Sequence, residues 1–243
     1  DLHRRRHSFP TRRSSDLFVL APVDGKPVLR FKPGQYISIR LNHPSLEHQE
    51  IRQYSLSDAP NGHDYRISVK REPQGQASNL LHDQLHIGDE VALMPPAGDF
   101  FLQTETTTPV VLLSAGVGLT PMLSMLNQLL AEQAGTEIRW LHACEHGAQH
   151  AFKEEIQAQS RQHASLQSRV WYRTPAEQDV QGQDYDFSGT LALEQVTDLI
   201  PANAHYYFCG PLGFMKAVKD QLSSLGVPAD RMHYEVFGPH QDL

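Results

Sequence analysis

Cysteine is scarce in this sequence. The two in 243 residues, Cys144 and Cys209, cannot build a disulfide framework and fit a reducing compartment, so a cytoplasmic location is expected. No apolar run approaches the roughly 20 residues of a membrane helix, and no secretory h-region is present. Signatures of metal sites and hydrolases are missing too: there is no His-Glu-x-x-His, no cysteine–histidine framework and no Gly-x-Ser-x-Gly elbow. Fourteen histidines occur, with His82 and His86 four apart and His142, His146 and His150 at the same step. Lacking such a framework they read as surface or packing residues, and no metal is expected. Positive charge is also short. The net charge is −7, and residues 1–16 hold five arginines against two aspartates; taking these from the totals of 21 and 28 leaves 16 basic and 26 acidic residues, or −10, in the rest. An acidic body argues against nucleic acid or an anionic membrane as a partner.

Residues 1–16 show no core-forming period, and Ser8–Leu17 resembles a translated adapter tag, so they read as a non-native or disordered leader. A basic arm for nucleic acid is the alternative. From 17 to 106 the pattern is short alternating strands with turn punctuation, the mark of a small antiparallel β-barrel. Phe18-Val-Leu and Val28-Leu-Arg-Phe flank Asp24-Gly25 as a hairpin; Tyr36–Leu41, Ile51–Leu56, Tyr65–Lys70 and Glu90–Met94 follow, with a short helix near Ala77–Leu85. A Thr-rich linker, Gln103–Pro109, precedes a change of rhythm. Strands then alternate with helices over 107–243, which implies a parallel sheet covered by helices. The expected fold class is thus two-domain, a β-barrel followed by an α/β domain.

The most informative stretch is Val110-Val-Leu-Leu-Ser-Ala-Gly116-Val117-Gly118-Leu119-Thr120-Pro121. An apolar strand stops at two glycines and a helix pattern begins at once, with Thr120 as its cap and Pro121 as its first residue. The stripe Met122, Met125, Leu126, Leu129, Leu130 marks its core face. Backbone N–H groups and the positive end of the helix dipole would face a pyrophosphate at this turn. The third glycine of the usual dinucleotide fingerprint is missing, and a tight turn without ligand explains the same residues.

Other stretches carry chemistry of the same kind. Arg52 and Tyr54 share one face of a strand, a cation and a stacking ring, or else an ordinary strand with a long arginine. Gly75-Gln76-Ala77-Ser78 opens a helix with Lys70 and Arg71 close in sequence: a second diphosphate site, or a plain cap. Cys209-Gly210-Pro211 ends a strand where ligands of open α/β sheets lie, though a cysteine chosen for packing reads the same way. The tail Tyr234-Glu-Val-Phe-Gly-Pro-His240 is unusually aromatic for a chain end.

Together Arg52-Gln-Tyr-Ser, Gly75-Gln-Ala-Ser, Gly116-Val-Gly-Leu-Thr-Pro, Cys209-Gly-Pro-Leu-Gly-Phe-Met and this tail resemble the ferredoxin-reductase family, and within it the reductase half of bacterial flavohaemoglobins, the nitric oxide dioxygenases. The likeness runs from about Phe18 to Leu243. It implies a flavin-binding barrel over 17–106, and a nicotinamide-binding α/β domain over 107–243 whose C-terminal tail touches the flavin. FAD would be held by Tyr36, Arg52, Gln53, Tyr54, Ser55, Lys70, Gln76, Ala77, Ser78, Val236, Phe237, Gly238 and Pro239. NADH, with NADPH tolerated, would be held by Gly116, Val117, Gly118, Leu119, Thr120, Pro121, Cys209, Gly210 and Pro211. Ser55, Cys209 and Glu235 would position or tune the reaction electrostatically. Ser55 points away from the face of Tyr54 in a regular strand, so a bend or bulge after Tyr54 is expected.

Hydride transfer needs nicotinamide C4 and flavin N5 about 3–3.5 Å apart and no obligate acid or base. Glu145, after the second α/β strand, would repel a 2′-phosphate and favour NADH; Arg173, after the third, argues the other way. The globin that flavohaemoglobins carry, with its haem, is absent from these residues, so a haem globin or another electron acceptor is the expected partner. Two rival functions are a stand-alone reductase for a ferredoxin, flavodoxin or oxygenase component and a non-catalytic flavin-binding module.

Overall fold

The computed structural model describes residues 2–7, 15–42, 44, 48–103, 108–132 and 135–237, the side chains of 2–7 and 15–16 excepted. Two compact units emerge: residues 1–102 with 123–128, and 103–122 with 129–243. Backbone pairing marks the division. The Leu102 N–H donates to Pro33 O at 2.8 Å within the first unit, and the Gln103 N–H donates to Tyr207 Oη at 3.1 Å within the second. The boundary expected at 106/107 lies outside the described residues.

The first unit orders its strands β4 (Glu50–Ser55), β3 (Tyr36–Leu41), β6 (Glu90–Leu93), β1 (Leu2–His7), β2 (Ser15–Pro22) and β5 (Tyr65–Lys70), with every pairing antiparallel. A bridge from Leu56 to Ile67 and the Ser57 N–H to Arg66 O bond at 2.8 Å bring the two ends of that order together as a barrel. The period of two puts Ile37, Ile39 and Leu41 on one face, each 2% exposed or less, against Phe18, Leu20, Leu56 and Ile67. Each such side chain contributes about 1.5–3 kcal/mol on burial.

Residues 2–7 form a strand paired with both β2 and β6; backbone pairing needs no apolar alternation, and it covers two edges that would otherwise stay open. One expectation fails here. Val28–Phe31 is no strand. Pro27 withholds one ladder donor, and Val28 bonds instead to Gly62 O at 3.1 Å.

The second unit is a parallel sheet in the order β10 (Phe187–Ser188), β9 (Leu166–Tyr172), β8 (Ile138–Cys144), β7 (Val110–Ala115), β11 (His205–Gly210), β12 (Met232–Val236). Helices α2 (Leu119–Glu132), α3 (Lys153–Gln162) and α4 (Leu212–Ser224) join the strands; α1 (Gln76–Asp83) belongs to the first unit. Winding starts at β7, runs outward through β8 and β9 to β10, and returns to β11 on the other side, so the switch point lies at the carboxyl ends of β7 and β11. One face of the sheet packs Val111, Leu113, Leu141, Tyr206 and Phe208 on Met215, Val218 and Leu222 of α4. Helix α2 is buried more widely than one stripe: Leu123 and Ser124 are fully buried, while Leu130 is only half-buried. Among the described residues no helix is long and apolar enough to cross a membrane.

Candidate functional site

Strand β7 is buried through Ser114, and the chain then enters Gly116 at φ +54°, a left-handed conformation that glycine adopts without steric cost. Gly118 is a glycine for a different reason. A Cβ there would lie 2.2 Å from Cys209 O, 2.4 Å from Cys209 C and 2.7 Å from Gly210 N. These are backbone atoms that no rotamer change can move, so the β7 turn and the end of β11 approach as only a hydrogen side chain permits. Gly210 is packed on its other side, where a Cβ would lie 2.7 Å from Phe214 Cδ1 and 3.1 Å from Ala115 Cβ.

Residues 116–118 form a short 3₁₀ turn that runs directly into α2. Thr120 is therefore a helical residue rather than the cap: its hydroxyl donates to Val117 O at 3.1 Å. Pro121 is the third helical residue, where the missing N–H still costs no intrahelical bond. Leu119 donates its N–H to the Gly116 and Val117 carbonyls. Gly116 and Val117 themselves are exposed, Leu119 is buried, and Pro211 is the exposed N-cap of α4.

Below this turn the strands bring four polar side chains into register. Glu235 pairs with Cys209, Cys209 with Ser114, and Ser114 with His142. Bridged residues project to the same side of a sheet, so the four form one row across β12, β11, β7 and β8. Ser114 Oγ and His142 Nδ1 are 2.8 Å apart, both buried. Glu235 Oε2 is buried without a hydrogen-bond partner, and burial pushes its carboxyl up to about 7. Burial first, and then the Glu235 charge, push the Cys209 thiol well above its usual range. His142 lies well below the usual histidine range because of burial and then His150. Val236 is half-buried and Phe237 exposed, whereas Gly238 and Pro239 lie outside the described residues.

In the first unit, Tyr36 and Ser55 stand directly opposite across β3 and β4, as do Ile37 and Tyr54. The pairing runs regularly from Glu50 to Ser55, so of the bend or bulge expected after Tyr54 the bulge is not there. Tyr54 accordingly takes the Ile37 face and packs on the barrel core, while Ser55 takes the Tyr36 face. Ser55 Oγ is buried and has no partner, and burial pushes the Tyr54 phenol up to about 12. Arg52 and Gln53 are exposed; Arg52 pairs with Glu50 at 2.7 Å.

The mouth of α1 is less basic than its sequence suggests. Lys70 pairs with Glu72 at 2.9 Å, and Arg71 forks onto Asp83, at the other end of the helix, at 2.8 and 2.7 Å. Ser78 Oγ accepts from Glu72 N–H at 3.1 Å and donates to Gly75 O at 3.2 Å. No side chain caps the helix at Gly75; Gln76 is exposed there, and Ala77 and Ser78 are buried.

The row's Ser114 and His142 are absent from the sequence-based set. Their signal is the lone hydroxyl in a six-residue apolar strand and a histidine on the same face as Ile138 and Trp140. Among the described residues no group of three or more histidine, cysteine or carboxylate side chains could hold a metal ion.

Comparison with known proteins agrees with this geometry. Residues 12–102 match the oxidoreductase FAD-binding domain family and residues 112–220 the oxidoreductase NAD-binding domain family. A flavohaemoprotein of Chromobacterium violaceum is 50% identical over 231 residues, 92% of this chain and 57% of that protein. The flavohaem-like FAD/NAD-binding domain of nitric oxide dioxygenase from Vibrio cholerae is 41% identical with a TM-score of 0.87, each chain covered to 98%. A Malassezia yamatoensis flavohaemoglobin with bound FAD and haem is 26% identical with a TM-score of 0.82, over 98% of this chain and 59% of that one. The chain spans just over half the length of the curated relatives it matches. It belongs, on a barrel and a parallel sheet carrying these motifs, to the family of two-domain FAD- and NAD-binding oxidoreductases found as the reductase part of flavohaemoproteins.

Proposed function

We propose that this chain moves a hydride from NADH to FAD and passes the electrons to a haem globin, as the reductase part of a cytoplasmic nitric oxide dioxygenase. FAD, when bound, converts a two-electron donor into a one-electron supply. Everything else is binding and orientation by this chain's own residues. Tyr36, Arg52, Gln53, Tyr54 and Ser55 are the residues for the flavin ring and ribityl chain; Lys70, Gln76, Ala77 and Ser78 are those for its diphosphate. Ser55 fits such a ligand because its buried hydroxyl lacks a protein partner, a cost a ligand acceptor or donor would remove. Val236, Phe237, Gly238 and Pro239 supply the tail contact, and Glu235 tunes the local potential through its displaced carboxyl.

Gly116 to Pro121 and Cys209 to Pro211 take the nicotinamide dinucleotide. The single observation that carries this assignment is the Gly118 contact, in which two loops close on each other at the switch point with no room for a Cβ. Preference for NADH rests on Glu145, whose Oε1 accepts from the Thr174 hydroxyl at 2.9 Å. The carboxylate is thereby held beside the end of β8, where it disfavours a 2′-phosphate.

Anaerobic stopped-flow reduction of the FAD-loaded chain tests the proposal. NADH is expected to bleach the flavin, NADPH more slowly, and addition of a ferric globin is expected to restore the oxidised spectrum. A chain that takes up no FAD, or whose flavin NADH leaves oxidised, overturns it.

A further inference from the structure

Past the carboxyl ends of β8 and β9 the two chain segments stay tied to each other. The Arg173 N–H donates to Cys144 O and the Thr174 N–H to Glu145 O, each at 2.9 Å, and the Thr174 hydroxyl donates to Glu145 Oε1 at 2.9 Å. One carboxylate oxygen then joins the loops again. Asp179 Oδ2 accepts the Gly147 N–H at 3.0 Å and the Ala176 N–H at 2.8 Å. Gly147 lies two residues past Glu145 and Ala176 two past Thr174, so the Glu145–Thr174 pair is held from both sides. A Cβ at residue 147 would lie 2.2 Å from Asp179 Oδ1 and 3.2 Å from Asp179 Cγ; this closure needs a residue without one.

We infer that Asp179 and Thr174 are positioning residues for the choice of dinucleotide: Asp179 locks the two loops together, and Thr174 thereby holds the Glu145 carboxylate in one orientation. The step from lock to choice rests on the proposed reading in which Glu145 turns away a 2′-phosphate. A glutamate at a loop start has several staggered rotamers open to it, and most swing its charge elsewhere; one whose oxygen sits on a tied hydroxyl keeps its place. Orientation counts because the residue next to Thr174 is the exposed Arg173, a guanidinium suited to a phosphate once the carboxylate has moved off. Asp179 acts as a hydrogen-bond acceptor for two backbone N–H groups, not as a second repelling charge.

Two substitutions separate lock from charge. Gly147→Ala keeps every charge but sets a methyl where Asp179 Oδ1 stands, and since residue 147 opens a 3₁₀ turn alanine brings no torsional strain there. Asp179→Asn removes the charge but keeps one side-chain oxygen able to accept both N–H groups. Dissociation constants of NAD⁺ and NADP⁺ are measured on the FAD-loaded chain. The preference for NAD⁺ is expected to fall about fivefold in Gly147→Ala and to change less than about twofold in Asp179→Asn. Thr174→Val, which leaves the lock whole and so carries the test even where Gly147→Ala loosens the fold, is expected to lower the preference about fivefold as well. A preference that Thr174→Val leaves unaltered, or that Asp179→Asn lowers as far as Gly147→Ala does, overturns the inference. Amide hydrogen exchange at residue 147 in the cofactor-free chain reads the lock by itself: about fivefold faster in Gly147→Ala and unaltered in Asp179→Asn. Faster exchange with an intact preference overturns the inference and leaves the dinucleotide site standing. An unmodified chain that binds both dinucleotides equally overturns the reading of Glu145, and the inference with it.

Discussion

Both units place a glycine at the mouth of a helix, and they build it in opposite ways. At Gly75 the neighbours that a Cβ would meet are the Ser78 hydroxyl at 2.5 Å and Glu72 Cβ at 3.0 Å, side-chain atoms of the same short segment. At Gly118 they are the carbonyl and amide of residues about ninety positions further along the chain. One turn is tied locally and can relax by turning a side chain. The other holds two crossover loops of the sheet together, so its geometry is a property of the whole parallel sheet. A barrel strand presents its side chains one by one, alternating between its two faces as Arg52 and Gln53 do on β4, whereas a doubly wound sheet has to bring loops together at its switch point.

Substituting alanine at the two glycines separates these cases most sharply. Gly118→Ala is expected to cost about 3–5 kcal/mol, since backbone must move on both sides. Calorimetry of the flavin-free chain should show it in the transition of the second unit, with the first unit unmoved; equal shifts in both would mean that the contact is not local to the sheet.

Buried charge gives the next largest effects, and these have opposite signs within the second unit. His150, whose Nδ1 lies 2.9 Å from Tyr172 Oη, is pushed down to about 4 by burial and then by Lys153. A lowered histidine means that the unfolded chain takes up the proton first, so stability is lost as pH falls from 6.5 towards 4. The loss is about 3 kcal/mol. Glu235 runs the other way. Its carboxyl is raised to about 7, so its contribution is fully present below the unfolded value near 4.5 and is lost, again by about 3 kcal/mol at most, as pH rises through 7. Glu235→Gln should therefore match the unmodified chain in urea unfolding at pH 4 and exceed it at pH 8. A variant weaker at pH 8 would show that the carboxylate has a partner in solution. The first unit offers no equal test at its candidate flavin face, where the displaced group is the Tyr54 phenol at about 12.

The same contrast explains what the sequence could and could not reveal. Alternation in Tyr36–Leu41 and the strand-glycine-helix run at 110–126 depend on neighbours in sequence, so barrel, sheet and the glycine turn between β7 and α2 were legible. Ser114 and His142 were not, since their meeting depends on strand register between positions 28 residues apart. Thr120 and Pro121 look like a cap and a first turn, yet the 3₁₀ residues before them shift every helical position by two. Lys70 and Arg71 look like free cations beside a helix mouth; their carboxylate partners, Glu72 and Asp83, are equally visible in sequence but only folding selects which charges meet. At Ser55 the expectation of a bend or bulge came from asking one strand to present two neighbours on one face, and the regular register with Tyr36 shows that β4 does not do so.

The smallest effect belongs to the locally tied turn. Gly75 has φ −80° and ψ 107°, a region any residue can adopt, so Gly75→Ala brings no torsional strain. The new methyl displaces the Ser78 hydroxyl, breaking its bonds to Glu72 N–H and Gly75 O, and the cost should be about 1 kcal/mol. Were the α1 mouth only a cap, that loss would appear in the melting temperature and nowhere else. With a diphosphate held there the same change should also weaken FAD retention severalfold, because displacing the Ser78 hydroxyl loosens the segment whose helix amides would meet the ligand. Equilibrium dialysis against FAD, run beside the melting curve, discriminates the two. A lowered melting point with unchanged FAD affinity would reduce Gly75-Gln-Ala-Ser to an ordinary helix start and leave the Gly118 turn as the candidate phosphate cradle among the described residues.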